Sequence, residues 1–199
     1  FAKAADTNSL QKGTSFEVKG VKLGVELEDV QRTLSALKYD CVTNNLGQGS
    51  VLWNIEKYTL ECTMPDAKLR VSITEKPLGA GVYAIHYHKD FPGNIDLAIS
   101  DKLKSDLAVK YGKPQFELKE NSTPGSDWTL CWGVQNVIGH FPDGADGGQE
   151  MVDMGLDIGS MPSGKFAVAF FYRHMGSYSF DLHAFDTAPA LDYRHARTR

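Results

Sequence analysis

Phe16-Glu17-Val18-Lys19-Gly20-Val21-Lys22-Leu23-Gly24-Val25-Glu26-Leu27-Glu28-Asp29-Val30-Gln31-Arg32-Thr33-Leu34-Ser35-Ala36-Leu37-Lys38 is the stretch whose reading decides the fold. Two periods meet in it. Phe16, Val18, Val21 and Leu23 alternate around Gly20, which is the pattern of a short strand with a break. After Gly24 the period changes. Val25, Leu27, Val30, Leu34 and Leu37 follow helical spacing and give one apolar face, which predicts a helix over 26–37. Glu26, Glu28 and Asp29 crowd its first turn, where negative charge meets the positive end of the helix dipole, and Lys38 stands at its far end.

Downstream the period returns to two. Val51 to Cys62 reads as one or two strands, and Met64-Pro65-Asp66 as a turn. Leu69, Val71 and Ile73 alternate with Arg70, Ser72 and Thr74, a half-buried strand. Over 82–88 another strand puts Tyr83, Ile85 and Tyr87 on one face and Val82, Ala84, His86 and His88 on the other. The second half repeats the order. Ile95, Ile99, Leu103, Leu107 and Tyr111 recur every four residues, a helix over 95–111 that Gly112 caps and Pro114 stops. Strands follow over 128–137, 151–158, 166–174 and 178–185. The fold class is therefore α+β, two helices packed on antiparallel sheet, and each half reads as a helix followed by three or four strands. Residues 1–15 form a polar N-terminal arm, 16–91 a first module and 92–199 a second. The alternative is one continuous curved sheet packed by both helices.

The chain has 199 residues, enough to bury a core without metals or many crosslinks. A net charge of −4 leaves no basic field for a polyphosphate backbone, so nucleic acid is not an expected partner. No apolar run approaches the roughly 20 residues of a membrane-spanning helix. Ala2-Lys3-Ala4 has the small-x-small form left near signal-peptidase sites, so the expectation is an extracytoplasmic protein whose signal peptide has been removed. Of the three cysteines, Cys41 and Cys62 are the expected disulfide, in keeping with an oxidising compartment. Cys131, between Trp128 and Trp132, reads as a buried apolar residue.

The stretch Phe16 to Val30, with its strand ending in Leu23-Gly24 ahead of an acidic helix start, resembles the opening of small bacterial envelope modules. These are the outer-membrane lipoprotein assembly modules of SmpA/OmlA type and the beta-lactamase inhibitor protein type. Lys110-Tyr111-Gly112-Lys113-Pro114, followed by Trp128 and Trp132, is similar to a helix end and strand in related periplasmic proteins. Val25-Glu26 departs from the commoner Met-Ser or Met-Thr pair, and no lipobox cysteine is present. The resemblance implies an extracytoplasmic protein-binding module. It carries over no catalytic residue.

Three clusters are candidate sites. His86 and His88 lie two apart on a strand, so both imidazoles face one side and are placed to share a metal ion. A third ligand comes from His183, His174 or Asp181, with His183 taken first. Asp143, Asp146 and Glu150 lie in a glycine-rich loop whose hard oxygen ligands suit calcium, although their spacing is not that of an EF-hand. Trp128, Trp132, Phe171 and Tyr178 are the expected interface aromatics. No nucleophile elbow, phosphate loop, dinucleotide fingerprint or His-Glu-x-x-His occurs. The resulting expectation is a non-enzymatic binding or assembly module of the bacterial envelope or cell surface, with no cofactor. It would engage another protein, or itself, through an aromatic sheet face and the arm. A metal-binding protein or metal-dependent enzyme built on His86 and His88 is the alternative.

Overall fold

The break at Gly20 is a turn. Lys19 (φ 50°) and Gly20 (φ 82°) both take left-handed backbone, the requirement of the tight two-residue hairpin whose twist suits its flanking strands. They join β1 (Glu17–Val18) to β2 (Val21–Lys22), with Val18 opposite Val21. The chain then enters α1 (Leu27–Ala36), which buries Val30 and Leu34. Lys38 (φ 59°) ends it in left-handed conformation, with the Tyr39 N–H bonded to the Leu34 carbonyl. The structure, a computed structural model, describes residues 16–45, 56–74, 81–91, 97–119, 127–133, 164–174 and 177–188.

Eight further strands and one more helix follow. They are β3 (Asp40–Asn45), β4 (Glu56–Met64), β5 (Ala67–Thr74), β6 (Val82–Phe91), α2 (Leu97–Tyr111), β7 (Phe116–Lys119), β8 (Trp128–Trp132), β9 (Lys165–His174) and β10 (Ser177–Asp186). All eight strands pair antiparallel in one sheet of order β3-β4-β5-β6-β10-β9-β8-β7. The fold is α+β, and each half of the chain contributes a helix and four strands. The two sets meet edge to edge at β6 and β10, so the sheet is continuous across the expected boundary near residue 91.

Strand alternation sends Leu60, Leu69, Val71, Ile85, Tyr87, Trp128, Leu130, Ala169, Phe171, Phe180, Leu182 and Ala184 into one buried cluster together with Val30, Leu34, Leu107 and Tyr111 of the helices. The aromatic residues expected at an interface are part of this core. Trp128 is 4% exposed and donates its indole N–H to Ser100 Oγ of α2 at 2.8 Å. Trp132 donates to the Gly112 carbonyl at 2.8 Å. Phe171 stacks on Trp128 and on Tyr178, their centroids 5.6 and 5.3 Å away. Large rings gain most where their apolar area is covered and each N–H finds a partner, and α2 supplies both. Only Tyr178 of the four keeps part of its surface in solvent. The opposite face of the central strands is also buried, at Phe166, Val168, Phe185, Cys131, His183 and Asp181.

Two edge strands differ from expectation. β3 lies where the sequence shows no alternation, and β7 is only four residues long. The first is fixed to the sheet covalently. Cys41 and Cys62 sit directly opposite each other on β3 and β4 and form a disulfide, with Cα atoms 4.0 Å apart. The N-terminal arm, the Asp143/Asp146/Glu150 loop and the strand expected over 151–158 lie outside the described residues.

Cys131 is the free cysteine, buried, with burial pushing its thiol up to about 12. Without reductant, folded protein is therefore expected to give no reaction with a thiol reagent at pH 8, and unfolded protein one equivalent. Replacing Cys41 and Cys62 together by serine is expected to cost about 3 kcal/mol in urea unfolding, the chain-entropy value for a loop of this size. Two reactive thiols in the folded protein would show the bridge to be absent.

Candidate functional site

β6 and β10 carry the chemistry because their register places polar residues of both on one face. His86 lies opposite His183, and His88 opposite Asp181, on successive same-face positions at the centre of the sheet. The Asp181 carboxylate is the hub. Its Oδ1 accepts from His86 Nε2 at 2.7 Å and from His88 Nδ1 at 2.9 Å. Its Oδ2 accepts the Tyr172 hydroxyl of β9 at 2.7 Å. No lysine or arginine pairs with Asp181 among the described residues. Burial alone pushes this carboxyl group up, yet the hydrogen bonds from His86 and His88 outweigh it and hold the pKa below the usual carboxylate range. Burial and the adjacent Asp181 charge raise the Tyr172 hydroxyl, which stays protonated and donates.

His88 bridges two carboxylates. Its Nε2 faces Asp90 Oδ1 at 3.1 Å, and Asp90 also accepts from Ser179 Oγ at 2.9 Å. Carboxylate oxygens only accept, so a ring held at both nitrogens is an imidazolium. The His88 pKa is raised accordingly, first by its hydrogen bond to Asp181. His183 is the opposite case. It is 1% exposed, and neither ring nitrogen has a hydrogen-bond partner. Burial and the neighbouring His86 hold its pKa well below the usual histidine value, so it is neutral.

His86 Nε2, His88 and Asp181 bring their ligand atoms within 4.8 Å of one another. The third ligand supported by the geometry is Asp181, one of the alternatives open in the sequence, and not His183. The reason is ring geometry. His183 stacks on His86, with centroids 4.2 Å apart and planes 8° from parallel. A histidine binds a metal along its ring plane, so two stacked rings aim at separate points. Phe185 also lies parallel to His183, with centroids 5.9 Å apart, and Phe170 meets its edge. His174 lies at the far end of β9, opposite Ser177. Asp90 and Tyr172, which the sequence reading did not single out, are recognisable only through the strand register that brings them beside His88 and Asp181.

The site is reachable. The side chains of His86 and His88 keep 11% and 23% of their surface, while Asp181 keeps 2%. Two mostly covered imidazoles over a buried carboxylate can bind a cation, or relay a proton between Asp90 and Tyr172. The chain matches no known family model, no characterised protein and no solved structure.

In chelator-treated protein, Asp181→Ala strands two buried imidazoles and is expected to cost about 3 kcal/mol in urea unfolding. Tyr172→Phe removes one hydrogen bond to a charged acceptor and is expected to cost about half as much. Equal and negligible effects would show that the network does not hold the sheet centre together.

Proposed function

We propose that this protein binds a divalent late first-row transition ion, zinc or copper, through His86 Nε2, His88 Nδ1 and Asp181 Oδ1. The observation that carries the reading is the convergence of two imidazole nitrogens on one oxygen of a buried carboxylate that pairs with no lysine or arginine among the described residues. A tetrahedral ion with bonds of about 2.0–2.1 Å needs ligand atoms roughly 3.3 Å apart, and the two imidazole–carboxylate separations of 2.7 and 2.9 Å reach that when the groups part by about half an ångström. Binding displaces the protons that now lie between the nitrogens and Asp181. Two imidazoles and a carboxylate suit zinc and copper better than calcium or magnesium. Three protein ligands leave one position for water or a small substrate.

The surroundings favour the same reading. With His88 bound through Nδ1, its Nε2–H still points at Asp90, the arrangement that fixes a metal-binding imidazole in one tautomer and orientation. Tyr172 holds the second oxygen of Asp181 and so directs the first. The disulfide and the envelope-like opening stretch support an oxidising, extracytoplasmic compartment, where exchangeable zinc and copper are met without cytosolic thiols. A protein-docking role through the aromatic face loses its main support, because Trp128, Trp132 and Phe171 are core residues.

Zinc titrated into chelator-treated, dialysed protein is expected to bind one equivalent. Free zinc at a hundred times its dissociation constant should stabilise the fold by about 2.7 kcal/mol. His86→Gln should abolish that gain while keeping the far-UV circular dichroism. Asp90→Asn should weaken zinc binding about tenfold. Undiminished zinc binding by His86→Gln protein would overturn the assignment.

A further inference from the structure

The other face of the same two strands lines a cavity. It is open to solvent on one side and holds about 440 Å³ between the β1–β2 hairpin, the sheet and α2. Tyr87, Phe180 and Leu182 form its floor, Leu103 and Leu107 of α2 one wall, and Val18 of the hairpin another. That volume is in the range that encloses a small organic molecule and is too small for a helix or a strand pair.

Its mouth is cationic, against a chain whose net charge is −4. Lys19, Lys89, Lys102 and Lys110 line it, and Asp106 is the one carboxylate among the lining residues. Asp106 is already engaged by Lys102 at 2.7 Å, and Lys89 pairs outward with Asp66. Lys110 has only a distant carboxylate, Glu17 at 3.8 Å. Lys19 has no ion-pair partner among the described residues, and its ammonium lies 4.6 Å over the Tyr87 ring. Burial, followed by the repulsion of Lys89 and Lys110, lowers the Lys19 pKa and outweighs the attraction of Asp66.

We infer that this cavity binds a single-headed carboxylate amphiphile of the medium-chain fatty-acid class. Its chain lies on Tyr87, Phe180, Leu182 and Leu103, and its carboxylate meets Lys19 and Lys110. An apolar floor selects for the chain, and lysines that lack close carboxylates select for the negative head. The inference is independent of the metal reading, since the cavity and the histidines lie on opposite faces of β6 and β10.

The test is calorimetric titration with sodium decanoate below its micellar concentration, with decyltrimethylammonium bromide as the cationic control, on chelator-treated protein. Decanoate is expected to saturate one site and to shift the methyl resonances of Val18, Leu103, Leu107 and Leu182. The cationic amphiphile should produce neither effect. Lys19→Asn tolerates the left-handed backbone at that position and removes the charge, and Lys110→Gln keeps the helix. Each is expected to weaken decanoate about tenfold, the loss of one charged hydrogen bond. Absence of decanoate binding, equal binding of the cationic amphiphile, or methyl shifts confined to other parts of the sheet would each overturn the inference.

Discussion

The antiparallel ladder between β6 and β10 joins residues far apart in the chain: His86 and Asp181, held together across it, are separated by 95 positions. Closing such a loop costs conformational entropy that no local turn offsets. The compensation is apolar. Ile85, Tyr87, Phe180, Leu182 and Ala184 of these strands are all in the core cluster, under Leu107 and Tyr111 of α2. Each half of the chain ends in one of these strands, so their pairing turns two four-stranded sets into one sheet with the seam at its centre. The outer strands, the helices and the hairpin at residues 17–22 attach to a frame that this pairing completes.

The seam also accounts for how differently its histidines behave. A two-fold axis through the seam would exchange His86 with Asp181 and His88 with His183, because the register pairs His86 with His183 and His88 with Asp181. Equivalent positions have unlike neighbours. His88 lies between the carboxylates of Asp90 and Asp181 and is charged. His183 has the His86 and Phe185 rings parallel to it, with Phe170 at its edge, and is neutral. Charge in a buried setting follows the hydrogen-bond partners supplied and not the residue type alone. The duplicated element order therefore gives one sheet but not two copies of one site.

Local periods made much of this legible in the sequence. The helices came from apolar spacing in 26–37 and 95–111, and the face assignment of His86 and His88 came from alternation in 82–88. The disulfide was expected, since Cys41 follows a helix and Cys62 lies in a strand. Pairing across the seam was not legible, because no sequence signal relates position 86 to position 183. His183 therefore stood as the first choice of third ligand where the register instead brings in Asp181. β3 was missed for a related reason: an edge strand with polar residues on both faces has no alternation to read, and its attachment comes from the disulfide. Trp128, Trp132, Phe171 and Tyr178 fit either a core or an interface in the sequence, because a strand pattern does not say what covers it. Ser100 of α2 and the carbonyl of Gly112 just beyond it, which accept the two indole N–H groups, decide that question.

Side-chain alternation makes β6 and β10 serve two different chemistries at once. Tyr87 and Leu182, opposite each other, floor the cavity, while the next pairs along, His86 with His183 and His88 with Asp181, face the other way. A one-residue slip of β10 would turn Phe180, Leu182 and Ala184 out of the core cluster and put the Asp181 carboxylate into it without its imidazole donors, and is excluded by both costs. A two-residue slip would keep the faces but set Asp181 opposite Asp90 in one direction, bringing two carboxylates together, and opposite His86 in the other, moving it away from His88. The observed register therefore gives Asp181 its two imidazole donors and keeps Tyr87 and Leu182 together beneath the lysine-lined mouth. The same electrostatic requirement that builds the candidate metal site thus also fixes the shape of the cavity behind it.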